Sequence, residues 1–477
     1  MATNGKNSPV GSGGQDKAPN LGLITLMAQA GLSNKALARR VREVGATRGL
    51  ELRCTHVTVQ RWRNGVASRA VPPEVIAETL TRELGRVVLV SEIGMASSDH
   101  ALDPRLRLDP RLGLDGPSAL PALVDTATAL WSRDLDEEGP RLPPVPAATL
   151  ATPVLRWLTA PPPPAASNTG IGQKVRREDV ARVRAATALH AKLDNRYGGG
   201  AARSIALAYL RADVLPLLHG TYSASIGREL FAATALATHC TAHLAYDTGR
   251  HDLARRYFLL AIDMAHQAGD RPLAAKIMGT LAHQAIFLGG TREALDIVRA
   301  ALQGAGTAAT LTGRAALHAM EARAHAALGD TRATLTALRH SERNFSAARP
   351  ENEPSWLRYF NYSEFNDEFG HCLVALKDSR EAQRYATEAL AARSTDYARS
   401  SVFTRFVLAN AHLIDRDVEQ ACAVAQPALP AVASIQSVRT RAYLDDFQHR
   451  LEPFHRVGAA RAFRTRAGQL VGSGGGK

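Results

Sequence analysis

Residues 32–65 read LSNKALARRVREVGATRGLELRCTHVTVQRWRNG. Ser33 stands just before Leu37, Val41 and Val44, an apolar face at helical spacing, and its hydroxyl suits a helix N-cap. The pattern breaks at Gly49. Thr55 then offers a second N-cap, for a helix through Trp62 that Asn64 and Gly65 stop. Val59 and Trp62, three apart, turn to a common core and leave His56, Val57, Gln60, Arg61 and Arg63 on outer faces. Ala38 is small where a second helix must cross the first. A short helix whose outer face carries Gln and Arg fits the major groove of DNA, where those side chains can bond adenine and guanine edges.

This stretch resembles the lambda-repressor/Cro-like helix-turn-helix, notably in the V-x-x-W-x-x-G spacing of Val59, Trp62 and Gly65. It departs from that motif in the long, Arg-rich connection REVGATRGLELRC between the helices. The resemblance implies that Asn34 and Lys35 touch phosphate, and that His56, Thr58, Gln60 and Arg61 meet bases or adjacent phosphates. Thr55, Arg63 and Asn64 complete the expected DNA-binding set. Phosphate contacts position such a domain and base contacts specify its site.

The whole chain carries 58 basic and 45 acidic residues, a formal net charge of +13. A basic balance favours polyanionic partners. Only eight of the basic residues are lysines, and an arginine-rich, alanine-rich usage is also what a GC-rich genome produces, so where the charge sits decides more than its sum. Residues 20–95 hold eleven basic residues against six acidic, with the basic ones concentrated before Arg69. That asymmetry suits one DNA-facing side. Arg39, Arg40 and Arg42 have a plainer reading as the solvated face of a helix.

Length implies more than one domain. The expected divisions are a tail at 1–19, the helix-turn-helix domain at 20–95, a Pro-rich linker at 96–170 with one amphipathic helix at 118–135, a helical-repeat domain at 171–465, and a flexible tail at 466–477. The linker rests on Pro143, Pro144, Pro146 and the run 161–164. Its helix rests on Leu120, Val124, Ala127 and Trp131 at helical spacing.

Beyond residue 171 the chain repeats itself. Turns carrying Gly or Asp open DTGRHDLARRYFLLA, LGGTREALDIVRAAL, LGDTRATLTALRHSE, LKDSREAQRYATEAL and IDRDVEQACAVAQPA. The residue after each turn's first helical step is Ala254, Ala294, Thr334, Ala382 and Ala421, a period of about 40 residues with one longer interval. Ala242, Ala282 and Ala322 recur twelve positions earlier, and Phe258, Val298 and Leu338 four positions later. Small residues at fixed offsets let two helices of a hairpin cross closely while a larger one fills the gap. The pattern resembles the tetratricopeptide repeat and predicts an all-α chain, a small helix-turn-helix domain followed by a superhelix of stacked hairpins with a concave groove. Such a groove binds a peptide, a protein or a small-molecule ligand.

The larger pattern, GLSNKALARRV at 31–41, IAETLTRELGR at 76–86, EIGMA at 92–96 and ALWSRD at 129–134, resembles the actinobacterial helix-turn-helix regulators that repress differentiation and antibiotic production, in which a tetratricopeptide-like region follows. The resemblance implies regulation of development or secondary metabolism, and the expected regulator binds double-stranded DNA as a homodimer that sets half-site spacing, with repression and activation both open.

Other clusters offer less. His239 and His243 share a helix face beside Cys240, yet no further ligand is apparent, so no metal site is expected. Gly198–Gly200 precedes a helix but lacks the Lys-Ser/Thr of a phosphate loop, so it reads as a helix-breaking turn. Tyr359, Phe360, Tyr362, Phe365 and Phe369 form a stripe, mostly core, with part of it free for a groove ligand. No nucleophile–base pairing can be traced, so neither catalysis nor a cofactor is expected. The four cysteines are scattered, the first twenty residues lack an apolar run, and no long apolar stretch occurs, which fits the cytoplasm and no membrane. The competing reading is a repeat adaptor that acts through protein contacts without sequence-specific DNA binding.

Overall fold

A computed structural model describes residues 19–47, 50, 52–66, 71–85, 88, 92–93, 109–116, 119–135, 142–161, 163–169 and 172–472. The regular elements among these residues are helices and the class is all-α, as the sequence predicts. The tail expected at 1–19 lies almost wholly outside the described residues. The chain divides into two compact units, Met1–Asp103 and Pro104–Lys477.

The first unit is built from α1 (Leu21–Gln29), α2 (Asn34–Thr47), α3 (His56–Arg63) and α4 (Pro73–Leu84). Their inner faces share one core, to which α1 gives Leu23 and Leu26, α2 gives Leu37 and Val41, α3 gives Val59 and Trp62, and α4 gives Ile76 and Leu80. Ala38 is buried in the same core, as its smallness required. Asn20 ties the chain ends of the unit together. Its side chain accepts from Leu23 N at 3.0 Å and donates to Ile93 O at 2.8 Å, and its N–H donates to Arg63 O at 2.8 Å.

The second unit is a succession of helical hairpins. Five of them carry the repeat pattern: α9 (Ala224–Asp247) with α10 (His251–Gln267), α11 (Arg271–Phe287) with α12 (Thr291–Ala305), α13 (Leu311–Ala327) with α14 (Thr331–Ala347), α15 (Tyr362–Ala375) with α16 (Ser379–Ala392), and α17 (Ala398–Ile414) with α18 (Val418–Ala425). The five marker positions, Ala254, Ala294, Thr334, Ala382 and Ala421, have no exposed surface. Ala242, Ala282 and Ala322 are buried too, as are Phe258, Val298 and Leu338. The turn inside each hairpin needs a left-handed residue. Gly249, Gly289 and Gly329 supply it in the first three, whereas Lys377 and Arg416 adopt φ of 60° and 63° in the last two.

A preceding hairpin, α7 (Arg177–Tyr197) with α8 (Gly199–Tyr209), touches both ends of this array. It packs on α9 and also on α17, five hairpins later. The backbone seals the junction: Gly200 N donates to Gln436 O at 3.1 Å and Gln436 N to Tyr197 O at 2.9 Å. Gly198–Gly200 therefore does more than break a helix. Gly199 N donates to the Asp247 carboxylate at 2.9 Å, and a Cβ there would stand 2.7 Å from Leu244 O. The two ends of the array are thus joined, and the concave face expected from stacked hairpins becomes the wall of a partly open chamber. A last pair, α19 (Val438–Arg450) and α20 (Gly458–Gly472), covers the end of the array.

Two expected boundaries are corrected. The described part of residues 96–170 is no free linker: it lies on the second unit. α5 (Leu120–Leu135) and α6 (Ala151–Thr159) bury Leu123, Leu130 and Trp131, and Val154 and Trp157. Asp134, fully buried, accepts from Arg203, from Arg250 at 2.8 Å and from the Tyr257 hydroxyl at 2.9 Å. Arg256 donates to Leu112 O at 2.6 Å and Pro143 O at 3.0 Å. Prolines hold this backbone extended so that its carbonyls meet arginines of α10, and rigidity serves docking here instead of spacing. The second correction is at the C-terminus, where α20 runs on to Gly472, past the expected end at 465. Phe463 and Ala467 are buried and Leu470 packs on the same core, an apolar stripe at helical spacing.

Candidate nucleic-acid interface and the chamber of the second unit

Ser33 and Thr55 start the two helices as expected. Ser33 Oγ accepts from Ala36 N at 3.2 Å. Thr55 forms a capping box with Thr58: Thr58 N donates to Thr55 Oγ1 at 3.3 Å and Thr55 N to Thr58 Oγ1 at 3.2 Å. Asn64 ends α3 and Gly65 follows at φ 77°. The long connection folds back on α2, where Leu50 N donates to Gly45 O at 2.9 Å. A Cβ on Gly45 would come within 2.6 Å of Leu52, so this glycine admits the departure from the usual tight turn. The residues at 48, 49 and 51 lie outside the described ones.

What these helices present outward is a polar ribbon. Arg63 Nη1 donates to Asn34 Oδ1 at 3.1 Å, Asn34 Nδ2 to Gln60 Oε1 at 2.8 Å, and Gln60 Nε2 to Asn64 Oδ1 at 3.0 Å. The start of α2 and the outer face of α3 are thereby joined through four of the nine residues singled out in sequence. Lys35, His56 and Arg61 stand exposed around the ribbon. Thr55 and Thr58 are placed differently, because their hydroxyls are engaged in the capping box and 3.1 Å apart. Amides held in this way can offer a donor and an acceptor together, the pattern that an adenine edge complements, and an exposed arginine can do the same for guanine.

The Arg39–Arg42 run has structural work. Arg40 pairs with Glu83 at 3.1 Å and Glu43 at 3.3 Å, Arg39 approaches Glu43 at 3.7 Å, and Arg42 donates to Cys54 O at 2.7 Å. Arg48, Arg69 and Arg86, counted in the local charge, lie outside the described residues.

The chamber of the second unit, about 790 Å³, is lined from α7, α9, α11, α13, α15, α17 and α19. Its charges are mostly paired. Arg399 holds Asp194, with one bond of 2.7 Å, and reaches Asp247 at 3.1 Å. Ser437 Oγ donates to Asp247 at 2.8 Å, so the ion cluster lies at the seal between the two ends of the array. Arg323 donates to Glu368 at 3.0 Å, and Arg393 approaches Asp367 at 3.6 Å. Burial raises the carboxyls of Asp367 and Glu368 above the usual range, against the pull of those arginines. Burial and nearby arginines hold His283 and His371 neutral, far below the ordinary histidine value.

His239, Cys240, His243, Tyr359 and Phe360 belong to this lining. His243 Nδ1 lies 3.2 Å from Asp194, while His239 faces Thr280 and Lys276, so the two imidazoles turn to different partners. Among the described residues no cluster of three or more His, Cys, Asp and Glu could hold a metal ion. Phe360, Phe365 and Phe369 are core, Tyr359 faces the chamber, and Tyr362 is exposed on Glu388. Sequence reasoning missed Asp194, Lys276, Arg323 and Arg399. The available signal was ionisable residues set among apolar ones, as in YSEFNDEFGHC of α15.

No helix among the described residues is long and apolar enough to cross a membrane. No curated protein and no solved structure matches the chain. A family model described as the SP15 N-terminal domain matches residues 23–96, a span that holds α1 from Leu23 onward, α2 to α4 and with them the polar ribbon.

Proposed function

We propose that this protein is a DNA-binding transcriptional regulator whose first unit reads DNA with α3 and whose second unit binds a ligand or partner. The observation that carries the reading is the ribbon of half-buried Asn34 and Arg63 with exposed Gln60 and Asn64, beside exposed Lys35, His56 and Arg61. Structural needs explain the burial of Val59 and Trp62 and the capping box; they do not explain a row of outward amides and guanidinium groups on the same short helix. In this reading Lys35 and Asn34 meet phosphate, and Gln60 and Arg61 meet base edges after exchanging neighbour contacts for DNA contacts. Regulation is non-enzymatic, cytoplasmic and carried out by a homodimer that sets half-site spacing. The resemblance to actinobacterial regulators extends the proposal to repression of differentiation or secondary metabolism.

Genome-wide footprinting of the intact protein tests it. A recurring sequence should emerge, and Gln60→Ala combined with Arg61→Ala should abolish its enrichment. If the intact protein yields no recurring site, the adaptor reading replaces this one.

A further inference from the structure

Lys276 sits on α11 with its ammonium inside the chamber, 3.0 Å from His239 Nε2 and 5.4 Å from the centre of the Tyr359 ring. Thr280 Oγ1 lies 3.1 Å from the same imidazole nitrogen. Arg323, Arg393 and Arg399 in and around the chamber each have a carboxylate partner, whereas Lys276 has none among the described residues. Burial pushes its amine down to about 7, and His239 is held neutral by burial and by Lys276 itself. An ammonium partly withdrawn from water without a counter-charge is costly, and among the described residues Lys276 is a half-buried cation of this lining with no carboxylate partner, whereas Lys192 and Arg358 stand exposed at its edge. The lining also carries aromatic rings: Tyr359 beside Lys276, and Phe403 with Tyr443, whose ring centres are 4.6 Å apart, with Arg439 4.7 Å from the centre of the Phe403 ring. A volume of about 790 Å³ is that of a small-molecule site.

We propose that the chamber binds a small organic acid, an amphipathic molecule whose carboxylate is received by Lys276 and whose aromatic or alicyclic body lies against Tyr359, Phe403 and Tyr443. The proposal rests on the reading of the second unit as the ligand-binding arm, and it names the ligand's class. The seal between Tyr197–Gly200 and Gln436 favours a compact molecule over an extended chain threaded along an open groove.

The test uses the full chain and matched probes: phenylacetate, 3-phenylpropionate and indole-3-acetate, each against its primary amide, with binding followed by saturation-transfer NMR. The acids should bind about tenfold more tightly than their amides. Lys276→Met should remove that preference without lowering the melting temperature, and Tyr359→Leu should weaken acids and amides alike. Equal binding of acids and amides, full acid affinity in Lys276→Met, or no binding by any probe would overturn the proposal. DNA binding measured on the same samples separates the two readings. Failure of the acids with DNA binding intact removes only this inference, while loss of DNA binding in the wild-type chain removes the regulator reading and leaves the acid result standing.

Discussion

In the first unit Lys35, His56, Gln60 and Arg61 stand in solvent, and the ion pairs of Arg39 and Arg40 with Glu43 and Glu83 are solvent-facing too. In the second unit Asp194, Asp247 and Arg399 are buried together, and so are Glu368 and Asp367 beside Arg323 and Arg393. The first arrangement adds little to stability, since exposed pairs are screened and contribute about 0–1 kcal/mol, but it leaves charge free to meet a polyanion. The second fixes architecture. Once a guanidinium and two carboxylates are withdrawn from water together, none of them can be removed alone without stranding the others. Lys276, a cation of the chamber lining without a carboxylate partner among the described residues, differs from these pairs, and the proposed acid would supply the missing partner.

The largest effect expected from this contrast is at Arg399. Arg399→Met leaves Asp194 and Asp247 buried without their strongest partner and should cost about 3–5 kcal/mol. Hydrogen exchange should report the loss in α7, α9 and α17, at the seal of the array, while α1 to α4 keep their protection. Protection lost equally in both units would break the division into two. A smaller effect is expected at Thr55. Thr55→Ala removes half of the capping box and should cost about 1 kcal/mol, with faster exchange confined to α3 and its neighbours. An unchanged exchange rate at the start of α3 would show that Thr58 alone holds the helix end.

Local features were legible in sequence and distant ones were not. Both caps, the Val59–Trp62 core pair and the stop at Asn64–Gly65 follow from neighbours a few residues apart. The five hairpins were legible because Ala254, Ala294, Thr334, Ala382 and Ala421 recur at nearly fixed intervals, and each is buried for the same packing reason. The chamber was not, because Asp194 and Arg399 are 205 residues apart and nothing in a periodic pattern says that its two ends meet. In the segment after residue 103 the helical spacing of Leu120, Val124, Ala127 and Trp131 indicates a docking face, but proline marks extended backbone without saying whether it spans solvent or lies on a surface. Arg255 and Arg256 in LARRYFLLA held the missing clue, as two guanidinium groups amid an apolar helix had to find acceptors, and Leu112, Pro143 and Val145 supply them. In the first unit His56, Gln60, Arg61 and Arg63 were legible from their outward positions and Asn34, Lys35 and Thr58 from the resemblance, but the bonds that join Asn34 to Gln60 and Arg63 cross two helices and needed the fold.

The most direct test of the first unit's role is operator binding by the full chain, titrated against salt, with Arg61→Ala and Lys35→Ala beside the wild type. Affinity should fall steeply as salt rises, because basic side chains release counterions from phosphate. Arg61→Ala should lose roughly 1–3 kcal/mol of discrimination between the operator and a scrambled duplex. Lys35→Ala should weaken both duplexes alike and flatten the salt dependence. Binding indifferent to salt, or equal losses on both duplexes for Arg61→Ala, would contradict a DNA-reading role for α3.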